Sequence, residues 1–224
     1  MITIDKKEVY GKEIIILNNV LSQEEINKIL NVINQEKWST ADKYGKYNND
    51  ANIKSLRLSM INDDFAKIIE NRVFPFVPYI KNFTNEIISD NKSLWTKDSI
   101  NPYFRFIRYQ KNHSLVAHYD DTHVFHSHKR TLMSVIIYLE DSDSETRFLI
   151  DNETNISDTQ RNYNDKDSLG KDEDVVLSIK SKAGQVVIFD HRLLHDATEP
   201  TNSQKTIIRT DITYKSPYLD FLNA

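Results

Sequence analysis

Thr131-Leu-Met-Ser-Val-Ile-Ile-Tyr-Leu139 is the stretch whose reading decides the fold: an almost unbroken run of β-branched, aliphatic and aromatic residues, written for a buried strand. Working outward, runs of the same texture recur at Tyr103–Tyr109, Thr146–Ile150, Val175–Ile179, Gln185–Phe189 and Thr206–Tyr214, separated by polar breaks. No helical crossovers lie between them, so a parallel sheet is disfavoured and an antiparallel barrel or jelly roll is expected.

The region before residue 100 reads differently. Ile14–Leu17 is a short buried strand, and Ser22-Gln-Glu-Glu25 is a capping box opening a helix with Ile26, Ile29, Leu30 and Ile33 at helical spacing. Both are expected to pack outside the main body. A second amphipathic helix is predicted from Asp64, with Phe65, Ile68, Ile69 and Val73 on one stripe and Pro75 and Pro78 as its stop. The chain thus reads as one mainly β domain over residues 1–224. Residues 1–100 form a helix-and-strand support, 101–215 the β core, and 151–174 a polar loop insertion, expected to be either disordered or a lid that touches the substrate.

Composition narrows the functional classes. The 224 residues are 39% hydrophobic and 28% charged, which suffices for a core, and only 4 Gly and 5 Pro exclude collagen-like and linker-rich chains. Cysteine is absent. Disulfides, thiolate zinc sites, iron–sulfur clusters and cysteine nucleophiles are therefore excluded, and any metal must be held by nitrogen and oxygen. The first residues show neither a signal-peptide pattern nor a long apolar span, so a cytoplasmic protein without a membrane segment is expected. With 29 basic and 33 acidic residues and no Lys/Arg cluster, nucleic acid is not the expected partner, and no obligate protein partner is evident.

Chemistry concentrates at two places. In His118-Tyr-Asp120, residues i and i+2 of an extended chain face the same way, so an imidazole and a carboxylate converge. One His-x-Asp match alone is close to chance in a chain with 7 His and 33 acidic residues. The second place is Phe189-Asp-His-Arg-Leu-Leu-His195-Asp196, between two predicted strands, where His195 can supply a third ligand. Two imidazoles and one carboxylate leave three octahedral positions open, the arrangement of non-haem Fe(II) oxygenases; magnesium and calcium prefer oxygen throughout.

At this point the sequence resembles the 2-oxoglutarate- and Fe(II)-dependent dioxygenases, and within them the prolyl 4-hydroxylase-like branch. Arg108-Tyr109-Gln-Lys-Asn112-His-Ser-Leu115-Val-Ala-His118-Tyr-Asp120 is similar to that branch's Tyr-x-x-Gly-x-x-Phe/Tyr-x-x-His-x-Asp motif. Ser134-Val-Ile-Ile-Tyr138-Leu139 is similar to its Thr-x-x-x-Tyr-Leu strand and Ser144-Glu-Thr146-Arg-Phe148 to its Gly-Gly-Glu-Thr-x-Phe turn, and Lys205 falls ten residues after His195. The resemblance spans roughly residues 100–215 and implies a double-stranded β-helix, jelly-roll and cupin-like. Asn112, Leu115 and Ser144 depart from it, standing where the family has Gly, an aromatic residue and Gly. Asn tolerates the left-handed backbone that Gly would adopt.

The resemblance also implies roles. His118, Asp120 and His195 would hold Fe(II), and 2-oxoglutarate, as co-substrate with O2, would be held by Lys205 and the Tyr109 hydroxyl, with Ser134 as a second hydroxyl. Ascorbate is a candidate reductant. Arg209 shares the face of Lys205 and competes for the co-substrate carboxylate; the loser of that contest becomes a substrate candidate, paired with Asp211. Arg105 and Thr146 are further substrate candidates. The implied reaction is hydroxylation of an unactivated C–H bond with decarboxylation of 2-oxoglutarate to succinate and CO2. The substrate is expected to be a peptide or small molecule presenting a peptidyl, prolyl-type, or free amino acid. Asp120 argues against the halogenating relatives, which leave that ligand position to chloride.

Blander readings compete. The barrel could be a non-catalytic binding module, or a zinc-type hydrolase using the same triad. His113, His123, His126, His128 and His191 are surplus, with His126-Ser-His128 a rival metal pair, and Trp38 and Trp95 read as core.

Overall fold

A computed structural model describes residues 1–39, 55–84, 92–126, 128–151 and 168–216. In chain order the elements are β1 (Thr3–Val9), β2 (Lys12–Asn18), α1 (Gln23–Ile33), β3 (Leu56–Ile61), α2 (Asp63–Val73), β4 (Ile80–Thr84), β5 (Lys92–Ile100), β6 (Tyr103–Tyr109), β7 (Leu115–His118) and β8 (Val124–His126). They continue with β9 (Lys129–Tyr138), β10 (Glu145–Leu149), β11 (Val175–Lys180), β12 (Val186–Asp190), β13 (His195–Ala197) and β14 (Lys205–Lys215).

The strands form two antiparallel sheets. The larger runs β1-β2-β12-β9-β14-β5-β4, with β6 also on β14, β3 on β6 and β8 on β9; the smaller runs β11-β10-β13-β7. This is the expected jelly-roll core, and all six predicted strand runs after residue 100 appear as strands.

Strand alternation splits the core in two. Odd residues of β6, β12 and β14 and even residues of β2 and β9 (Ile107, Tyr109, Val187, Phe189, Ile207, Ile14, Ile16, Ile136 and Tyr138) pack with Phe148 inside the barrel. Their sequence neighbours Phe106, Ile188, Ile208, Ile15, Val135 and Ile137 face the other way, onto Ile26 and Ile33 of α1 and Ile69 and Val73 of α2. The large sheet is thus apolar on both faces, which is why its central strands read as continuous runs rather than alternating ones.

The helices begin where expected. Ser22 Oγ accepts the Glu25 amide and Glu25 Oε2 accepts the Ser22 amide at 2.8 Å, the reciprocal capping box. Glu25 also pairs with Arg72 of α2 at 2.7 Å, tying the helices together. On α2, Ala66 occupies the buried face, whereas Ile68 is 43% exposed and lies off the stripe assigned to it.

The N-terminal region corrects the sequence reading more substantially. The strand at Ile14–Leu17 does not pack outside the main body: β2 pairs with β12 in the large sheet, and Ile14 and Ile16 line the barrel interior. The reason is its four consecutive buried apolar residues, which need cover on both faces. Strands β1, β3, β4 and β5 were not anticipated. β1 and β4 are the ends of the large sheet's strand order, and β1, largely exposed and rich in charge, lacks the alternation that reveals a strand. Of the polar insertion expected at 151–174, residues 152–167 lie outside the described residues. Its return limb ends in a short 3-10 turn at Asp172–Asp174.

Candidate metal and co-substrate site

The triad is assembled across the small sheet. His118 ends β7 and His195 opens β13, and the two are direct cross-strand partners. Asp120 follows two residues after His118 on the same face. His118 Nε2 lies 3.8 Å from Asp120 Oδ1 and His195 Nε2 3.7 Å from Asp120 Oδ2, with the imidazole centroids 4.2 Å apart. Three candidate ligand atoms lie within 4.8 Å of one another, and among the described residues this is the only such group of three or more. His126 and His128 bring their rings to 3.9 Å on the β8–β9 hairpin, but among the described residues no third ligand joins them there.

Backbone carbonyls set the ring orientations. His118 Nδ1 lies 2.8 Å from the Val116 carbonyl and His195 Nδ1 2.9 Å from that of Leu193, so each ring donates through Nδ1 and turns a bare Nε2 toward Asp120. Burial, with the charge of His118 beside it, pushes His195 down to about 3, keeping its ring neutral and able to ligate. Burial by itself would raise Asp120. Arg209, His195, His118 and His191 override it and hold the carboxyl well below the usual carboxylate range. Asp120 also receives the Ser134 hydroxyl and, at 2.8 Å, Arg209 Nη2. A neutral His195 ring, an ionised Asp120 carboxylate and two imidazoles of anchored orientation are the donor set a divalent iron takes.

Deeper in the barrel, Lys205 stands opposite Tyr109 in the β14–β6 ladder. It is fully buried, with its ammonium 3.3 Å from Thr146 Oγ1 and 5.6 and 5.7 Å from the ring centroids of Tyr109 and Tyr138. Among the described residues no carboxylate lies within ion-pair distance of it. Burial pushes its ammonium down to about 7, despite the distant charges of Asp196 and Glu145, and pushes the Tyr109 hydroxyl up to about 12. A buried cation without a counter-ion is costly unless an anion is brought to it. Tyr138 donates to Thr146 at 2.8 Å, fixing the hydroxyl beside Lys205.

The other predicted residues divide by place. Arg209 stands at the metal end, on Asp120 and, at 3.3 Å, on Asp211. Ser134 is likewise turned to Asp120, away from Lys205. Arg105 pairs with Asp211 at 2.8 Å, and His191, a surplus histidine in the sequence reading, is buried 3.3 Å from the same carboxylate. Trp95 is fully buried. Trp38 packs against the outer cluster under the Arg108 guanidinium, 4.3 Å from its ring centroid.

Of the departures, Asn112 has φ 65°, the left-handed backbone expected of it. Leu115 packs on the inner cluster, and Ser144 is buried, its hydroxyl donating to the Thr198 carbonyl. Two participants escaped the sequence reading. Tyr103 shares the parity of Arg105 and Tyr109, a signal that was available. Asp196 is buried in a two-point pair with Arg147, which also reaches the Gly170 carbonyl and Asp172 and so fastens the loop's return limb to the strand bearing His195. That clasp joins residues far apart in sequence and leaves no local signature.

Comparison with known proteins agrees with the geometry. Residues 114–209 match the family described as "Putative 2OG-Fe(II) oxygenase". No curated protein matches the sequence. Among solved structures, the chain is similar to the viral collagen prolyl hydroxylase of Paramecium bursaria Chlorella virus-1 in its 2-oxoglutarate complex, at 16% identity and TM-score 0.50, covering 89% of this chain and 95% of that one. It is similar to a Trichoplax adhaerens prolyl hydroxylase in complex with a hypoxia-inducible-factor peptide (11% identity, TM-score 0.55, 94% and 87% coverage). It is also similar to HygX of Streptomyces hygroscopicus with nickel and 2-oxoglutarate (13%, 0.54, 92% and 83%). These likenesses extend the shared fold beyond the family match to nearly the whole chain. The residues that match the 2-oxoglutarate/Fe(II) oxygenase family, 114–209, are the ones that carry the His-Asp-His triad, and the solved structures share the double-stranded β-helix that holds it.

Proposed function

We propose that this chain is a single-domain Fe(II)- and 2-oxoglutarate-dependent dioxygenase that hydroxylates an unactivated C–H bond of a peptidyl, prolyl-type, or free amino acid. The observation that carries the reading is the pairing of a His-Asp-His cluster with a fully buried Lys205 that has no counter-ion among the described residues, inside the same barrel. A hydrolase using the triad and water has no use for the second feature. Prolyl hydroxylases among the similar folds support the substrate class.

In this reading His118 and His195 present Nε2 and Asp120 one carboxylate oxygen to the iron. Ser134 and Arg209 hold the rest of that carboxylate in place. Lys205 receives the distal carboxylate of 2-oxoglutarate, with Tyr109 donating its hydroxyl and Thr146 steadying the ammonium. Ile107, Val187, Phe189 and Ile207 keep water from the co-substrate stem. When bound, the iron and co-substrate supply O2 activation coupled to decarboxylation of 2-oxoglutarate to succinate and CO2, with ascorbate as the candidate reductant. The described residues include no helix long and apolar enough to cross a membrane. We place the protein in the cytoplasm, acting on a peptide or small molecule.

The test is an anaerobic titration of the metal-free protein with Fe(II) and then 2-oxoglutarate, followed by the visible charge-transfer band of the chelate. The band is expected in the intact chain and absent in His118→Ala. Iron binding without a band would overturn the co-substrate assignment and favour the binding-module or hydrolase reading.

A further inference from the structure

The inward face of β14 continues past Lys205 to a second cluster of cations. Arg209 stands directly opposite Arg105 of β6, two guanidinium groups facing each other across a ladder. Like charges so placed are destabilising and persist only if something compensates them. Here the compensation is Asp211, whose carboxylate accepts Arg105 Nη2 at 2.8 Å and lies 3.3 Å from Arg209 Nη2 and 3.3 Å from His191 Nε2. The second carboxylate on Arg209 is Asp120, which the proposed function commits to iron.

Donors outnumber acceptors in this corner. Arg105 Nε and the Tyr103 hydroxyl are both buried from solvent and have no hydrogen-bond partner, and the two side chains are neighbours, with the guanidinium 5.9 Å from the Tyr103 ring centroid. Two unmet buried donors side by side are rare in folded proteins and costly.

We propose that Arg105, Arg209 and Tyr103 form an anion-binding subsite for a carboxylate of the substrate, beside the metal triad. This rests on the functional reading of the triad and Lys205 and deepens it. The substrate class becomes a small carboxylic acid, such as a free amino acid, rather than a prolyl residue in mid-peptide, whose own carboxyl is tied up in an amide. Guanidinium groups suit that ligand because their paired N–H donors match a carboxylate's two oxygens.

The test uses the full chain loaded anaerobically with Fe(II) and 2-oxoglutarate, titrated at constant ionic strength with acetate as the carboxylate probe and with acetamide as its uncharged counterpart. Thermal midpoint reports binding, and the chelate band is read in the same samples. Acetate is expected to raise the midpoint and acetamide not to. Arg105→Gln should weaken acetate at least tenfold, and Tyr103→Phe, which removes one unpaired oxygen and keeps the charges, about threefold. Acetate acting no better than acetamide, or equally well on both variants, would overturn the subsite while the band still stands. If Arg105→Gln fails to fold, unchanged acetate affinity in Tyr103→Phe overturns it instead. A wild-type chain that shows no band overturns the functional reading, and this inference with it.

Discussion

The two ends of the inward face of β14 handle charge in opposite ways. At one end Lys205 is fully buried between the rings of Tyr109 and Tyr138 with a single hydrogen bond, to Thr146, and no counter-ion among the described residues. At the other, Arg209 and Asp211 share a knot with Arg105, His191 and Asp120 in which every group has an opposite charge within 3.3 Å. The first end holds an unrelieved desolvation cost; the second has largely settled its own. A charge left uncompensated in an apolar pocket calls for an anion more strongly than a paired one does, which supports our proposal that the co-substrate anion goes to Lys205 rather than to Arg209.

Replacing Lys205 by Met breaks this contrast most severely. The affinity for 2-oxoglutarate is expected to fall on the order of a thousandfold, since one partner of a buried ion pair is lost. The unliganded protein should gain stability, because a buried cation held down to about 7 costs on the order of 4 kcal/mol at neutral pH. Chelate-band titration and thermal unfolding of the same variant check both signs; a destabilised Lys205→Met would mean that the ammonium is compensated elsewhere in the fold. At the other end, Asp211→Asn should cost about 3 kcal/mol, since it takes the carboxylate from Arg105 and leaves Asp120 to hold the facing Arg209; denaturant unfolding measures it, and a neutral result would dissolve the distinction between the ends.

pH sharpens the same contrast. Lys205 has a folded-state pKa near 7, against the ordinary 10.5 expected when unfolded. Between those values the unfolded chain binds the extra proton, so stability of the unliganded protein rises with pH across about 7 to 10.5 and the slope vanishes in Lys205→Met. Binding of 2-oxoglutarate must take that proton back, so its affinity should fall about tenfold per unit above pH 7. A flat affinity between pH 7 and 9, measured by calorimetry, would show the ammonium already charged in the free protein.

How much of this is legible in the sequence depends on the range of the interaction. The strands from Tyr103 onward are readable because β-branched runs report burial locally, and the two-residue alternation of an extended chain is enough to put Lys205, Arg209 and Asp211 on one face of β14. The triad is readable as three residues of suitable chemistry, but its convergence depends on β7 and β13 pairing, which no window of sequence contains. The edge strand β1 escapes a sequence reading because its exposed positions carry charge, and the inclusion of β2 in the large sheet escapes it because a short apolar run does not say what it pairs with. Lys205 and Arg209 share a face, so alternation does not choose between them as the co-substrate's partner, and the spacing of Lys205 from His195 favours it only through the family resemblance. Burial and the whereabouts of counter-ions separate them.

The smallest effect probes the settled end. Asp120 is held by two groups, the Ser134 hydroxyl and Arg209, whereas Lys205 has only Thr146. Ser134→Ala removes one of the two while Arg209 continues to hold the carboxylate ionised and close to its present place. Supports behind a metal ligand are worth about ten- to a hundredfold in metal affinity, and a ligand with a second support should sit at the low end, about tenfold weaker for Fe(II). A competition titration against a metal-binding dye reads this directly, with no co-substrate present. A hundredfold loss would mean that Arg209 does not carry the carboxylate alone, and that this end depends on a single hydroxyl as much as the other depends on its lysine.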